Sequence, residues 1–295
     1  NTTLEFSNII ISRNRFLTSS TTNVINISGR NITPLSSLLY FIVNNRFEKT
    51  GGANGNSVVL NFLNVAYVNG NVFTIANAGL ASLQTAINIG SSGKVDNLNI
   101  AGNIFDRTNA AIATTRFGTT LIDNNITYNC RIGFQLTNTI TEPATVRVIN
   151  NEFTNVQING AINYNRTNTN DITSPSRFIC ENNTVNFDAT GQAAISSAMI
   201  FSTISASTVL TAEIETVIKK NRLNYTGDFT LTPSFSVVGV RFAGRHTNIV
   251  VDSNEINLVG TNLPQSLSTG STGVLIFTNA TGTGTGAIPA NAVIN

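Results

Sequence analysis

Charge is the first thing that this sequence has little of. Asp, Glu, Lys and Arg make up 11% of the 295 residues, against about 25% in an average soluble domain. The formal net charge is +2 and no basic run occurs, so we expect neither a nucleic acid nor an anionic membrane surface as a partner. No apolar stretch approaches the ~20 residues that a membrane-spanning helix needs, and the sequence therefore predicts no membrane span.

Residue types that build metal sites are also scarce. The chain has a single histidine, His246, and two cysteines, Cys130 and Cys180, whereas a zinc site needs three or four such ligands. We therefore expect no metal and no cofactor, and we expect His246, in "AGRHTN", to occupy the surface or a loop. Two cysteines supply no disulfide framework, and we expect them to lie about two coils apart, too far for a bond.

Neutral polar residues replace the missing charge. The chain contains 44 Asn, 40 Thr and 24 Ser, residues that suit turns or strands better than helices. Hydrophobic residues make up 41% of the sequence, enough to exclude a disordered chain. The nearest helical candidate, "GLASLQTAI" at 79–87, is short. The composition therefore predicts an all-β fold.

One pattern recurs along the chain: an apolar residue, two further residues, Asn, one residue, and an apolar residue. Each Asn follows an alternating run such as "TVRVIN" or "TNIVVDSN", and alternation predicts a strand with one buried face. Successive Asn are 22 to 38 residues apart, a loose period near 30 that is typical of solenoids. Thr127 is a weak member, because it takes the second apolar position of its repeat. The repeated residues are Asn14, Asn45, Asn71, Asn103, Asn125, Asn151, Asn183, Asn221 and Asn254.

The repeat predicts a coil of parallel strands. A second short strand often follows the Asn, opened by Gly or Ala, as in "GFQL" at 133–136 and "GVRF" at 239–242. One turn per repeat would stack neighbouring strands about 4.8 Å apart. We expect each repeated Asn to adopt the left-handed conformation of a sharp corner and to hydrogen-bond to the equivalent Asn above and below. Leucine-rich repeats are excluded because their leucine spacing is missing, and propeller blades are disfavoured because hairpin turns do not recur.

The segments "INNEF", "VNNRF", "IDNNIT" and "DSNEINL" resemble the coils of right-handed parallel β-helix proteins. That group includes pectate-lyase-like enzymes, polysaccharide-degrading phage tailspikes and surface adhesins. The resemblance covers about residues 4–277 and implies an all-β, right-handed parallel β-helix of about nine coils with an Asn ladder. We predict a β-helix domain over 1–277 and a Thr/Gly-rich tail or cap over 278–295.

Outward carboxylates are the candidate catalytic groups. Alternation predicts that the residue two before each ladder Asn and the residue after it point outward. Asp123, Glu152 and Glu181 take such positions in three consecutive coils, and two strand spacings, ~9.6 Å, separate the backbones of Asp123 and Glu181. Carboxyl groups ~6.5–9.5 Å apart suit an inverting glycosidase. The competing interpretation, which we favour, is a solvated row of alternating charge that continues through Lys219 and Asp252.

Insertions after the ladder Asn of the last coils are the candidate binding region, among them "YTGDFTLTPSFS" at 225–236. Equivalent positions lie side by side in stacked coils, so these loops should form one surface. On it Tyr225, Asp228, Phe229 and Phe235 are the predicted sugar contacts. The competing interpretation is that the phenylalanines pack the loops onto the coil. The absence of tryptophan also counts against an aromatic sugar groove.

Two classes of function are open. The first is a surface module of a viral spike or cell-surface adhesin, which recognises carbohydrate (a polysaccharide or other surface glycan) or serves as a rigid rod. It would lie outside the cell, on a cell surface or on a virion. The second is a carbohydrate-active enzyme, either a polysaccharide lyase or a glycoside hydrolase, including a phage depolymerase. The resemblance implies that a lyase would use an Arg or Lys base with acidic calcium ligands, and the sequence has no tight Asp/Glu group beside a basic residue that matches such a motif, so no catalytic residue carries over.

The ends of the repeat array suggest partners. Neither end has an evident cap helix, although open strand edges invite pairing. We expect neighbouring domains or sister chains at the ends, with a homotrimer as one such assembly. The chain begins at Asn1 and is strand-like almost at once, so we expect a processed or excerpted part of a longer protein.

Overall fold

The computed structural model describes residues 8–19, 22–29, 38–50, 55–75, 84–156, 160–168, 174–188, 199–206, 212–228, 238–261, 272–277 and 291–294. All regular structure in these ranges is β-strand, and no helix occurs among them. No described segment is therefore a helix that could cross a membrane.

The strands form three parallel sheets, and each coil contributes one strand to each sheet. Sheet 1 contains β1 (Asn8–Ser12), β4 (Leu39–Val43), β7 (Leu63–Asn69), β10 (Val95–Ala101), β13 (Phe117–Asp123), β16 (Ala144–Ile149), β19 (Ser176–Glu181), β22 (Ile214–Lys219), β25 (Asn248–Asp252) and β28 (Asn291–Ile294). Sheet 2 contains β2 (Arg15–Thr18), β5 (Arg46–Lys49), β8 (Val72–Ile75), β11 (Ile104–Asp106), β14 (Ile126–Tyr128), β17 (Glu152–Thr154), β20 (Thr184–Asp188), β23 (Arg222–Asp228) and β26 (Glu255–Thr261). Sheet 3 contains β3 (Ile25–Ser28), β6 (Val58–Asn61), β9 (Thr85–Ile89), β12 (Ala110–Thr114), β15 (Ile132–Asn138), β18 (Ile162–Asn168), β21 (Ile200–Ala206), β24 (Val238–Gly244) and β27 (Thr272–Phe277).

Apart from the first and last strand of each sheet, each strand pairs in parallel with its equivalent one coil before and one coil after, as β13 does with β10 and β16. The chain therefore winds a right-handed parallel β-helix of nine coils, as the repeat predicts. Strand β28, which lies in the predicted tail, adds a tenth strand to sheet 1 beside β25. The division at residue 277 stays a prediction.

The predicted Asn ladder is confirmed. In each of the first eight coils the side-chain amide nitrogen of the ladder Asn donates to Oδ1 of the next ladder Asn at 2.9–3.2 Å, from Asn14 through to Asn254. Asn151 is typical: its Nδ2 also donates to the carbonyls of Ile122 and Ile149, at 3.0 and 2.8 Å. Its Oδ1 accepts from both the backbone and the side chain of Asn125. One amide thus ties three coils together.

The prediction that the ladder Asn itself adopts the left-handed conformation is wrong. The residue before it does so in every coil, with φ of 57° at Asn150 and 67° at Gly70. This left-handed residue shifts the in–out alternation of side chains by one position. The side chain of the ladder Asn that follows it therefore points into the corner, where its amide reaches backbone carbonyls. In the doublet "NN", the first Asn makes the bend and the second bonds along the axis. The bend residues are Arg13, Asn44, Gly70, Gly102, Asn124, Asn150, Asn182, Lys220 and Ser253.

The core is a column of stacked side chains inside the coil. Phe16, Phe47, Phe73 and Phe105 stack face to face with ring centroids 4.9, 4.8 and 5.2 Å apart, each at the apolar position after its ladder Asn. Thr127 interrupts this column. Phe134, from sheet 3 of the coil that contains Thr127, fills the gap. Its ring packs edge-on against Phe105 in the coil before and against Phe153 in the coil after. The weak member of the sequence repeat is thus compensated by a neighbouring strand.

The cysteines are buried free thiols, as expected. His246 lies in the loop between β24 and β25, one of the two expected places, but the expectation of a surface position is wrong because its side chain is buried. Its Nδ1 lies 3.1 Å from the Thr216 hydroxyl and its Nε2 lies 3.3 Å from the carbonyl oxygen of Ser202. The ring packs edge-on against Phe242. A neutral imidazole completes the core here because both of its nitrogens have polar neighbours.

Candidate functional site

Both predicted outward rows exist. On sheet 1, Asp123, Ile149, Glu181, Lys219 and Asp252 are successive register partners along the solenoid axis. On sheet 2 the corresponding row runs Ile126, Glu152, Thr184, Arg222 and Glu255. The candidate acids Asp123 and Glu181 therefore share one row, with Ile149 between them, whereas Glu152 lies on the neighbouring sheet, past the corner.

Two of the three candidate carboxylates make a hydrogen bond or an ion pair with a neighbouring side chain. Asp123 Oδ1 accepts from Nδ2 of Asn150 at 2.9 Å, and Asn150 in turn accepts from Asn182 at 2.7 Å. Glu181 Oε1 lies 3.3 Å from Lys219 Nζ. These contacts fit the solvated row that the alternating charges predict. A catalytic role for Asp123, Glu152 and Glu181 stays a prediction, and no group of three or more potential metal ligands occurs in the described ranges.

Of the four predicted binding residues the structure describes Tyr225 and Asp228, and both lie in a strand rather than in a loop. Tyr225 lies in strand β23, points into the coil, is 1% exposed and stacks on Phe187 with centroids 5.4 Å apart. Its ring therefore cannot meet a sugar at the surface, because it follows the buried alternation of its strand. Asp228 belongs to the same strand, paired with Thr261. Phe229 and Phe235 lie outside the described residues.

A different polar surface lies on the outer face of sheet 2, formed by the third residue after each ladder Asn. In coils five to nine this row holds Tyr128, Thr154, Asn186, Asn224 and Asn257, each the register partner of the next. We call these five residues the amide face. Asn257 Nδ2 donates to Asn224 Oδ1 at 2.9 Å, and Asn224 Nδ2 donates to Asn186 Oδ1 at 2.8 Å. The row is four strand spacings, ~19 Å, long.

Charged groups border the amide face on the side of the corner. Arg222 and Glu255 form an ion pair at 3.3 Å, and Glu255 also accepts from Nδ2 of Asn257 at 2.8 Å.

At the other end of the amide face, Tyr128 is half-buried, and desolvation, followed by the charge of Asp106, raises the pKa of its hydroxyl. The hydroxyl therefore stays a neutral donor and acceptor at physiological pH.

Asn224 keeps one N–H and one oxygen lone pair beyond those used along the row, and Asn186 uses only its oxygen there, whereas Asn257 donates both N–H groups, to Asn224 and Glu255, and keeps its oxygen. The face thus offers regularly spaced donors and acceptors beside one aromatic ring. Sequence reasoning missed it, although the signal is visible: the position three after the ladder Asn is Asn in each of the last three coils.

Comparison of the chain with protein families, with curated proteins and with solved structures finds no match. The case for a function therefore depends on the surface chemistry of the described residues.

Proposed function

We propose that the chain is the surface-exposed β-helix module of a viral spike or cell-surface adhesin, and that it recognises carbohydrate through the amide face. The observation that carries the proposal is the row of Asn186, Asn224 and Asn257 with Tyr128 at its end. Amides can donate to and accept from adjacent sugar hydroxyls, and an aromatic ring can cover the apolar face of a sugar. The proposed location is extracellular, on a cell or a virion.

The ends of the described solenoid support the proposed contacts with neighbouring domains or sister chains. Large apolar side chains that are strongly exposed concentrate in the terminal turns, with Ile10 and Leu17 in the first coil and Val259, Val293 and Ile294 at the other end. Exposed apolar side chains beside unpaired strand edges favour burial by a partner. A homotrimer remains one form that this assembly could take.

A carbohydrate-active enzyme is the second candidate, and one observation favours it. Asp123 and Glu181 lie on one outward row with backbones two strand spacings apart, ~9.6 Å, near the upper limit for an inverting pair. The ion pair of Glu181 with Lys219 and the Asn150 bond to Asp123 favour the structural interpretation.

The binding proposal is tested on a glycan array with the purified chain. We compare the wild type with Tyr128→Ala and Asn257→Ala, and use Asn88→Ala, on the outer face of sheet 3, as the matched control. We expect specific retention of a glycan, at least about tenfold weaker affinity in the two amide-face variants, or ~1.4 kcal/mol, and no change in the control. Equal loss in all three variants, or unchanged retention in the amide-face variants, would contradict the proposed site.

A further inference from the structure

The inference concerns Arg166, a fully buried arginine in the sixth coil. Its side chain is 0% exposed. Its register partners in the adjacent coils, Asn138 and Ile204, are equally buried, so the row faces the interior. Nη2 of Arg166 donates to the backbone carbonyls of Glu142 and Ser174, both at 3.3 Å. These long bonds engage only one of the three guanidinium nitrogens.

The other donors of this guanidinium have no partner within the described residues. Arg166 Nε and Nη1 make no hydrogen bond, and the buried hydroxyls of Tyr164 and Ser176 have no partner within the described residues other than each other. The three residues are neighbours: Arg166 and Ser176 both act on the Tyr164 hydroxyl and moderate a rise in its pKa, to about 12, that burial causes. The Tyr164 ring is fixed by stacking on Phe178 with centroids 4.4 Å apart. Two unused guanidinium nitrogens of Arg166 thus lie beside the paired hydroxyls of Tyr164 and Ser176.

No carboxylate neutralises this cation in the described structure. Of the acids at the same corner, Glu142 pairs with Lys94 and Glu215 pairs with Arg177, while Glu213 is exposed at the outer pocket and makes no ion pair with Arg166. Burial lowers the pKa of Arg166, but a guanidinium keeps its proton in proteins. A buried charge without a counter-charge is strongly unfavourable, and buried polar groups are almost always hydrogen-bonded.

The unused groups share one chemistry. The guanidinium can only donate, and when one of the two hydroxyls donates to the other, the second keeps a free O–H, so the cluster is complementary to an acceptor with negative charge. Ser176 also borders a surface pocket of about 240 Å³ whose lining includes Pro143, Pro175, Arg177, Glu213 and Glu215, so one member of the cluster lies next to solvent-accessible space. We propose that Arg166, Tyr164 and Ser176 bind a small anion, the size of a halide ion, inside the sixth coil. This anion is a structural ligand taken up from solution when the chain folds.

The direct test is a crystal structure of chain that has been unfolded and refolded in sodium bromide, with data collected at the bromine absorption edge. An anomalous peak within about 3.5 Å of Arg166 Nε or Nη1 is the expected result. Ordinary water or protein density at that place, without an anomalous signal, would overturn the proposal.

The second measurement is thermal and chemical unfolding in sodium chloride and in sodium gluconate at equal ionic strength, since gluconate is too large for the site. Near saturation, each tenfold rise in chloride should raise the folding equilibrium constant of the wild type about tenfold. Tyr164→Phe, which keeps the stacked ring, should weaken this dependence, and Arg166→Met should abolish it. Arg177→Met is the matched control, an arginine on the next strand with a carboxylate partner, and should leave the dependence intact.

A carboxylate of the chain itself is the alternative counter-ion. Asp171, five residues along from Arg166 and outside the described residues, is the nearest acid in sequence after it. Asp171→Asn should leave the chloride dependence unchanged. If Asp171→Asn instead destabilises the chain as much as Arg166→Met, and the wild type shows no chloride dependence, the proposed anion site does not exist.

Discussion

Asn151 illustrates how much one side chain contributes to the coil. Asn151→Ala removes the bonds to Asn183 and to two backbone carbonyls, and it leaves the two donors of Asn125 without their acceptor. We expect the free energy of unfolding to fall by about 1–3 kcal/mol, the cost of buried partners left unpaired, measured by denaturant titration. Asn88→Ala, on the outer face of sheet 3, should change it by less than about 0.5 kcal/mol. An identical unfolding midpoint for Asn151→Ala would mean that the ladder is not a source of stability.

His246 gives the stability a pH dependence of known sign. Burial lowers its pKa to about 4 in the folded chain, against about 6.5 when unfolded. Between these two pKa values the His246 imidazole is therefore protonated in the unfolded state and neutral in the folded state. Stability should be full above pH 6.5 and fall by about 3 kcal/mol as the pH drops toward 4.

The chain has no other histidine, so His246→Gln is a clean control for this effect. Urea unfolding of the wild type between pH 7 and 5 should show the loss, while the variant should show a much flatter profile over the same range. Parallel profiles for the two proteins would show that His246 is not the responsible group.

Thr127 and Thr216 are buried threonines that differ in one respect. The Thr127 hydroxyl makes no hydrogen bond within the described structure, whereas the Thr216 hydroxyl meets Nδ1 of His246. Thr127→Val should therefore leave the unfolding free energy unchanged or raise it by up to about 1 kcal/mol, and Thr216→Val should lower it by about 1–2 kcal/mol. Calorimetric melting points in the opposite order would contradict this assignment of buried polar groups.

At the scale of the element, the corner between sheets 1 and 2 is built by a residue pair rather than by the ladder Asn alone. The bend residue Asn124 is exposed and has φ of 52°. Glycine adopts this conformation without strain, and a β-branched residue does not. Asn124→Gly should thus be tolerated, whereas Asn124→Val should cost about 1–2 kcal/mol.

Thr119→Val, a substitution at an exposed position of β13, the strand that ends just before Asn124, is the control for the corner and should have little effect. Comparable losses for Thr119→Val and Asn124→Val in denaturant titrations would show that the backbone conformation is not the cause.

The strands and their arrangement in sheets are the features that the sequence predicts best. Alternation and the recurring Asn predict the strands, their stacking and the nine ladder residues, because each depends on local chemistry repeated in every coil. The doublet does not reveal which member is left-handed, since both positions are Asn in several coils. The insertion pattern puts Tyr225 on a loop because its strand continues past the apolar positions that mark its neighbours. The burial of His246 cannot be predicted from the sequence, because nothing there shows that Thr216 and Ser202 lie beside it.

At the scale of the whole molecule, nine stacked coils make a rod that spans eight strand spacings, ~38 Å, from the first ladder Asn to the last. Its charge is low, and its polar surface is ordered in rows. The amide face depends on this register, because residues three positions after successive ladder Asn become neighbours only when coils stack. This is why sequence reasoning can find the ladder without finding the face: the ladder residues repeat, whereas the amide face changes composition from coil to coil.

The central claim is that this rod binds a glycan on the amide face and does not cleave it. The most direct measurement is a crystal structure of the chain soaked with the oligosaccharide that the wild type retains best on the array. We predict an intact sugar chain along Asn186, Asn224 and Asn257, with one ring against Tyr128. A cleaved product between Asp123 and Glu181 would contradict the claim and establish the enzymatic alternative.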